Sequence, residues 1–316
     1  MRITDFRAFV TLRDNDLKQI KNTNKKISYV LITPARNEAA NIEDTISSVI
    51  SQTVLPRKWV IVSDGSTDRT DVIVKGYLPK NSWIEFIRMP EHRERQFAAK
   101  VQCFNAGYKK VKEVDFDIVG NLDADISFDR EYFDFLLGKF EEDLMLGVAG
   151  TPFVEDGKCY DYRFTNIEHV SGACQLFRRR CFEEIGGYLP IKGGGVDWVA
   201  VTTARMRGWK TRTFTEKTCL HHRKMGTGNS SAIMTWFRQG RKDYFFGNHP
   251  LWEVFRIFFQ MCKKPFFVGG VLLLIGYVSA IPKRKEMPIS TELMEFVRKE
   301  QMDRLRNLFR ANSLRK

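Results

Sequence analysis

Two aspartates separated by one residue follow an apolar run in the middle of the chain. Asp123 and Asp125 come directly after the sequence DIVGNL at residues 117–122. If that strand continues through Asp125, both carboxylates point to one face, because side chains alternate along a strand. Adjacent like charges favour a neutralising cation, and a hard divalent ion with oxygen ligands can also bridge the phosphates of a nucleotide diphosphate. An aspartate-rich surface turn is the alternative interpretation of so short a pattern.

Two other polar clusters also follow apolar runs. The sequence PARNE at residues 34–38 comes after ISYVLIT, and DGSTD at residues 64–68 comes after WVIVS. Loops at the carboxyl ends of strands are where open α/β sheets bind ligands. Each cluster also has a structural interpretation, because Pro34 can end a strand and Asn37 or Asp68 can cap the following helix. The clusters indicate a binding site when they are taken together.

The elements that must position these residues alternate between strands and helices. Runs rich in β-branched and aromatic residues predict strands at residues 27–33, 59–63, 83–88, 117–122, 147–151 and 211–214. Apolar residues at helical spacing predict helices at residues 41–52, 68–77, 96–111 and 130–140. This alternation is typical of an α/β layer architecture.

The length, net charge and cysteine content of the chain limit its domain organisation and its partners. With 316 residues, we expect one catalytic domain and an appendage, divided into an N-terminal extension at 1–26, a catalytic domain at 27–228 and a C-terminal helical region at 229–316. The N-terminal extension lacks the uninterrupted apolar core of a secretory signal.

The net charge of +13 points to an anionic partner, such as nucleic acid, a phosphate-bearing substrate or an anionic bilayer. The six cysteines form no CxxC pair, so we expect neither a zinc site nor a disulfide framework.

The C-terminal region contains one strongly apolar run, at residues 266–281, with basic residues on both sides. As a helix it would be about 24 Å long, which is shorter than a hydrocarbon core of roughly 30 Å. We therefore expect a re-entrant or interfacial membrane hairpin, and a buried hairpin of helices is the alternative. Residues 290–310 have the pattern of an amphipathic helix.

The order and spacing of the motifs resemble the family 2 glycosyltransferases, whose fold is called GT-A. The resemblance covers residues 27–222 and includes PARNE, VSDGSTDRT, KVQCFNAG, NLDADISF, GGGVDW and HHR. It implies a Rossmann-like mixed α/β sheet with helices on both faces, a nucleotide-sugar donor and a divalent metal, Mg²⁺ or Mn²⁺. The QxxRW motif of processive synthases is absent, since residues 239–243 read QGRKD.

The resemblance also implies roles for individual residues. Contacts to the base and ribose would come from Ala35, Arg36, Glu38 and Asp64. Lys100 would help to hold the nucleotide, although Ala99 stands where the family has glycine, and Asp123 would face the nucleotide.

Metal binding and base catalysis are assigned in the same way. Asp125 would coordinate the metal. Only one of His221 and His222 would complete the site, because adjacent residues of an extended segment point in opposite directions, and His221 is the favoured one. Asp197 would be the general base, with Val196 replacing the usual glutamate. Its alternative role is to cap the following helix.

The expected function is an inverting transfer of a hexose-type sugar, with a UDP-sugar as the favoured donor. The resemblance is to bacterial, non-processive enzymes of cell-envelope polysaccharide biosynthesis, and the acceptor would be a glycan or a lipid-linked molecule. The expected location is the cytoplasmic face of the cell membrane, where the protein would contact the membrane surface. The competing hypotheses are a basic nucleic-acid-binding protein, for which no recognition motif is present, and a nucleotidyltransferase or an inactive module that binds sugar nucleotides.

Overall fold

The structure is a computed structural model that describes residues 26–91, 97–155, 157, 166–191, 194–223, 232–264, 266–282 and 287–313. The expected N-terminal extension, apart from Lys26, lies outside the described residues. The chain divides into two compact units, with the division between Lys224 and Met225.

A seven-stranded sheet forms the centre of the first unit. Its strands are β1 (Tyr29–Ala35), β2 (Lys58–Asp64), β3 (Ile84–Met89), β4 (Ile118–Leu122), β6 (Leu146–Gly150), β8 (Cys174–Arg178) and β9 (Lys210–Thr213), in the order β3-β2-β1-β4-β8-β6-β9. Strands β1 to β4 are parallel, whereas β8 runs antiparallel to both β4 and β6. All six predicted strands are present, and the mixed α/β sheet is confirmed.

Helices cover both faces of this sheet. They are α1 (Ile42–Ile50), α2 (Thr70–Tyr77), α3 (Phe97–Val111), α4 (Tyr132–Glu142), α5 (Arg179–Glu184) and α6 (Val196–Met206), and a short 3₁₀ helix occupies Leu78–Lys80. Alternate residues of β1 enter different hydrophobic clusters, because Leu31 packs in one with Phe133 and Ile32 packs in the other with Phe104. The near-continuous apolar sequence of β1 is thus explained by burial on both faces.

A second, three-stranded sheet lies beside the DAD sequence. It contains β5 (Ile126–Ser127), β7 (Phe153–Val154) and β10 (Cys219–His221), in the order β5-β10-β7. Strand β4 ends where the sequence predicted, so the condition under which both carboxylates would share one face of a strand is not met. Strand β4 ends at Leu122, and the chain turns before β5 begins.

Four helices form the second unit, namely α7 (Ala232–Phe245), α8 (Pro250–Met261), α9 (Val268–Ala280) and α10 (Thr291–Ser313). The backbones of α7 and α9 touch at Gly240 and Gly276, where an added Cβ would collide with backbone atoms of the other helix. Asp243 is nearly buried and pairs with Arg256 of α8 at 2.6 Å. The QGRKD segment of α7 therefore makes contacts with both α8 and α9 that hold this unit together.

The apolar run is shorter as a helix than the sequence suggested, since α9 has 13 residues. One side of α9 is buried, including Leu273, whereas Leu274, Ile275 and Val278 are exposed. Within the described parts of the chain, none of the helices combines the length and the apolar character needed to cross a membrane.

Candidate active site

The turn between β4 and β5 fixes the two aspartates of the DAD sequence. The backbone N–H of Asp123 donates to the carbonyl of Ala173, 2.8 Å away, which ties the turn to the start of β8. The carbonyl of Asp125 accepts from the N–H of His222 at 2.9 Å. The hydrogen bonds of the small sheet thus join the turn to the HHR sequence, almost a hundred residues further along the chain.

Asp123, Asp125 and His221 converge on one point. Each offers one ligand atom, and these atoms lie within 4.8 Å of one another. The Nε2 atom of His221 is 3.7 Å from Oδ1 of Asp125. The exposed ring of His222 instead meets the Ser127 hydroxyl at 2.8 Å, so the structure brings His221 to the aspartates.

These three residues fit a divalent cation. Carboxylate oxygens suit Mg²⁺ and Mn²⁺, and an imidazole nitrogen is compatible with Mn²⁺. Asp125 and the His221 side chain are each about 8% exposed, so a cation there would compensate charges that water screens poorly. His221 also has a buried Nδ1 atom without a hydrogen-bond partner among the described residues. A ring held with one nitrogen toward the aspartates is typical of a ligand histidine.

Lys100 places a positive charge beside the same carboxylates. Its Nζ atom lies 2.5 Å from Oδ1 of Asp123. Burial lowers the pKa of Lys100, but the attraction of Asp123, with smaller contributions from Asp197 and Asp125, outweighs burial and raises that pKa. Lys100 is therefore a firmly charged ammonium within the acidic part of the site.

The surroundings favour the charged form of Lys100 but disfavour the charged form of Asp123. Burial raises the pKa of Asp123 above its usual value, and repulsion from Asp125 adds to the increase, while Lys100 and His221 oppose it. Because burial and Asp125 disfavour the charged form of Asp123, a further positive charge nearby would stabilise that form. The site thus favours occupation by a cation.

The PARNE and DGSTD sequences form two loops that brace each other at the ends of β1 and β2. Asn37 has a positive φ of 54°, and its side-chain oxygen accepts from the N–H of Thr67 at 2.8 Å. The N–H of Asn37 donates to the Ser66 hydroxyl, and the N–H of Ala39 donates to Asp68. Asn37 therefore shapes and joins the loops rather than capping α1, which begins at Ile42, directly after Asn41.

This brace sets the positions of the residues predicted to contact the nucleoside. Ala35 ends β1 and is buried, and Asp64 ends β2, with Arg36 reaching its carboxylate at 3.4 Å. Behind them, burial raises the pKa of the Cys103 thiol to about 12, and Asp64 adds to the increase. Ala35, Arg36 and Asp64 thus lie together at one edge of the sheet.

Glu38 has a partner that the sequence did not indicate. Its side chain is almost buried, and Oε1 accepts from the Arg223 guanidinium at 2.5 Å. Glu38 and Arg223 are 185 residues apart. The last residue of the HHR sequence thereby connects the metal-ligand segment to the PARNE loop, a contact that no local motif can reveal.

Asp197 lies in the first turn of α6 and is not its cap. The helix is preceded by Gly195, which has a φ of 87°. A Cβ added at Gly172 would be 3.2 Å from the Cβ of Asp197, so glycine there makes room for the carboxylate. Asp197 acts electrostatically on Lys100 and on buried Tyr188. The structure therefore brings the predicted base to the same end of the sheet as Lys100 and Asp123.

Comparison with known proteins finds a family match for part of the chain. Residues 30–166 match the model of glycosyl transferase family 2. The chain is 29% identical over 136 residues to a poly-beta-1,6-N-acetyl-D-glucosamine synthase of Staphylococcus aureus (strain COL), covering 43% of this chain and 31% of the relative. It is 24% identical over 193 residues to the synthase of Staphylococcus epidermidis, covering 54% and 45%. The chain spans less than half the length of these relatives.

Solved structures show the same fold. S. aureus TarS 1-349 in complex with UDP-GlcNAc superposes with a TM-score of 0.52 at 12% identity, covering 86% of this chain and 78% of that one. GalNAc-T7 with UDP, GalNAc and Mn²⁺ gives 0.54 at 16% identity, covering 81% and 55%. The mannosyltransferase PcManGT from Pyrobaculum calidifontis, in complex with GDP-Man and Mn²⁺, gives 0.51 at 18% identity, covering 89% and 82%. The match at residues 30–166 agrees with the resemblance that the motifs indicated, and the solved structures share the fold.

Proposed function

We propose that this protein is an inverting, metal-dependent glycosyltransferase that moves a sugar from a nucleotide-diphosphate donor to an acceptor hydroxyl. The observation that carries the proposal is the convergence of Asp123, Asp125 and His221 beside Lys100. The donor would be a nucleotide-diphosphate sugar, since TarS and GalNAc-T7 were solved with uridine nucleotides and PcManGT with GDP-Man, and a UDP-sugar is the favoured one.

The acidic residues and Lys100 have complementary roles toward a diphosphate. Asp123, Asp125 and His221 would hold Mg²⁺ or Mn²⁺, whose charge would offset that of the departing nucleotide diphosphate. The Lys100 ammonium can exchange its contact with Asp123 for a phosphate oxygen, since both acceptors are anionic. Ala35, Arg36, Glu38 and Asp64 would bind the base and ribose at the braced loops.

Asp197 would accept the proton of the attacking hydroxyl. A carboxylate within hydrogen-bond reach of the acceptor makes the oxygen more nucleophilic as the bond to the anomeric carbon forms. Direct attack from the side opposite the leaving group inverts the anomeric carbon, so an α-linked donor would give a β-linked product. No covalent enzyme intermediate is required.

The second unit supports a location at a membrane surface. Large apolar side chains are exposed on α8, on α9 and in the segment between them, including Phe258, Phe267 and Leu274, and Lys263 and Lys264 lie in the same segment. Such a surface suits the interface of an anionic bilayer. We propose a peripheral enzyme on the cytoplasmic face of the cell membrane. It would transfer one sugar per encounter to a lipid-linked or membrane-proximal glycan in cell-envelope polysaccharide biosynthesis.

The test is transfer from a panel of UDP- and GDP-sugars with and without Mn²⁺ or Mg²⁺. Asp125→Ala should lower transfer about 10³-fold, because removing a ligand weakens a contribution of several kcal/mol to the departure of the diphosphate. Asp115→Ala is the matched control, since Asp115 is exposed and pairs with Arg57. Full activity of the unaltered protein in EDTA would contradict the metal assignment.

A further inference from the structure

The His221 ring lies between two carboxylates. Its Nε2 atom faces Asp125, and its Nδ1 atom is 3.8 Å from Oε2 of Glu155. This Nδ1 atom is buried and has no hydrogen-bond partner among the described residues. A buried polar atom without a partner requires an explanation, because such atoms are rare in folded proteins.

The backbone register explains why Glu155 faces His221. Strands β7 and β10 are parallel, and their pairs are Cys219 with Phe153 and Leu220 with Val154. The next position of this register places Glu155 opposite His221, with both side chains on one face. Phe153, two residues before Glu155, packs against the His221 ring with 5.6 Å between ring centroids.

We propose that Glu155 is a positioning residue that accepts a hydrogen bond from the Nδ1–H of His221, so that the lone pair on Nε2 is directed toward the metal. The inference rests on the proposed metal site. Ligand histidines commonly donate their second ring N–H to a carboxylate, which fixes both the tautomer and the ring orientation. The present distance exceeds a hydrogen bond by roughly 1 Å, so rotation of the partly exposed Glu155 side chain can close it.

Binding of Mn²⁺ alone to the full chain tests this role, with free Mn²⁺ measured by electron paramagnetic resonance. Glu155→Leu removes the acceptor and should raise the Mn²⁺ Kd about 10- to 100-fold. Glu155→Gln keeps an acceptor oxygen and should stay within about threefold of the unaltered protein. Glu113→Leu is the control, because Glu113 is exposed and contacts Lys112. Thermal unfolding of each variant shows whether the fold is retained.

The ring tautomer provides a second readout that a purely structural role would not change. In ¹⁵N-labelled protein with Mg²⁺, the His221 shifts should show a proton on Nδ1, and Glu155→Leu should give a mixture of tautomers. The chain has five histidines, so His221→Gln suffices to assign the signal. A tautomer that is unchanged in Glu155→Leu would overturn the proposal.

The outcomes separate this inference from the proposed function. If Asp125→Ala abolishes Mn²⁺ binding but Glu155→Leu binds normally, the metal site stands and the role of Glu155 is wrong. If Glu155→Gln loses as much affinity as Glu155→Leu, Glu155 acts through its charge or as a ligand, which also overturns positioning by a hydrogen bond. If the unaltered protein binds no Mn²⁺, both proposals fail.

Discussion

Lys100 shows how a single residue sets the charge balance of the site. Three carboxylates, from Asp123, Asp125 and Asp197, act on its ammonium group, and together they raise its pKa in spite of burial. Lys100 therefore stays charged across the physiological pH range. Its positive charge limits repulsion among the aspartates, and in the proposed reaction the same charge would be available to the diphosphate of the donor.

Asp197→Asn should separate donor binding from turnover. The amide keeps the shape of the side chain but cannot take the acceptor's proton, so transfer should fall about 10²- to 10⁴-fold while donor affinity changes little. Calorimetry of the donor and a rate assay measure the two effects. Asp134→Asn is a matched control, because Asp134 occupies the first turn of α4 and is exposed.

The stereochemistry of the product gives an independent check on Asp197. A single displacement with one base predicts inversion, which NMR of the anomeric proton of the product reports directly. Retention of the donor's configuration, or an Asn variant as active as the unaltered enzyme, would mean that Asp197 has another role.

At the scale of elements, the sequence predicts those strands whose buried residues are themselves apolar. It misses β8, because Gln175 and Arg178 look like surface residues although both are buried. Gln175 donates to the Val170 carbonyl and accepts from Tyr188, and Arg178 donates to backbone carbonyls that include Phe140. Their polar groups are satisfied inside the protein, which a hydrophobic pattern cannot show.

The sequence predicts the site residues that directly follow a predicted strand, but it does not predict the contacts between segments that are distant along the chain. The aspartates and the two braced loops follow predicted strands, so adjacency in the sheet brings them together. The contacts of His221 with Glu155 and of Arg223 with Glu38 depend on β5, β7 and β10, which have only two or three residues each. Strands this short carry too little periodicity to be predicted.

A buried charged cluster joins three helices of the second unit. Glu253 and Arg256 of α8 meet Asp243 of α7, and Asn248 links Glu253 to Gln301 of α10. Burial raises the pKa of Glu253 to about 7, and repulsion from Asp243 adds to the increase, while Arg256 opposes it. The cluster therefore favours a protonated Glu253 in the folded state.

The stability of this helical unit should fall as the pH rises from about 4.5 to about 7. The folded state binds the Glu253 proton more tightly than the unfolded chain, so its contribution is complete below the unfolded pKa and lost by the folded pKa. Glu253→Gln should remove most of this dependence, and each pKa unit corresponds to about 1.4 kcal/mol. Urea unfolding at pH 5 and pH 8, followed by helical circular dichroism, measures the change.

Exposed Glu295 on α10 supplies the control for the pH experiment. Glu295→Gln should leave the dependence on pH unchanged. If Glu253→Gln and the unaltered protein lose equal stability between pH 5 and pH 8, the buried carboxylate is not the group responsible.

At the scale of the whole molecule, the two units differ in what they expose. The first unit buries two large hydrophobic clusters on the faces of its sheet, whereas the second leaves many large apolar side chains of α8 and α9 in contact with solvent. With a net charge of +13, the chain is suited to an anionic lipid surface. We therefore propose that catalysis and membrane binding reside in different units.

The full chain should bind vesicles that contain anionic lipid, and a chain truncated after Lys224 should remain folded but not bind. Because each buried phenylalanine contributes about 1.5–3 kcal/mol, Phe258→Glu with Phe267→Glu should weaken binding at least 10-fold. Leu55→Glu is the control, since Leu55 is also an exposed large apolar residue but belongs to the first unit. Vesicle flotation with neutral and anionic lipid, at low and high salt, separates the apolar contribution from that of Lys263 and Lys264. A full chain that floats with neither kind of vesicle would refute the membrane proposal and leave the proposed transfer chemistry untouched.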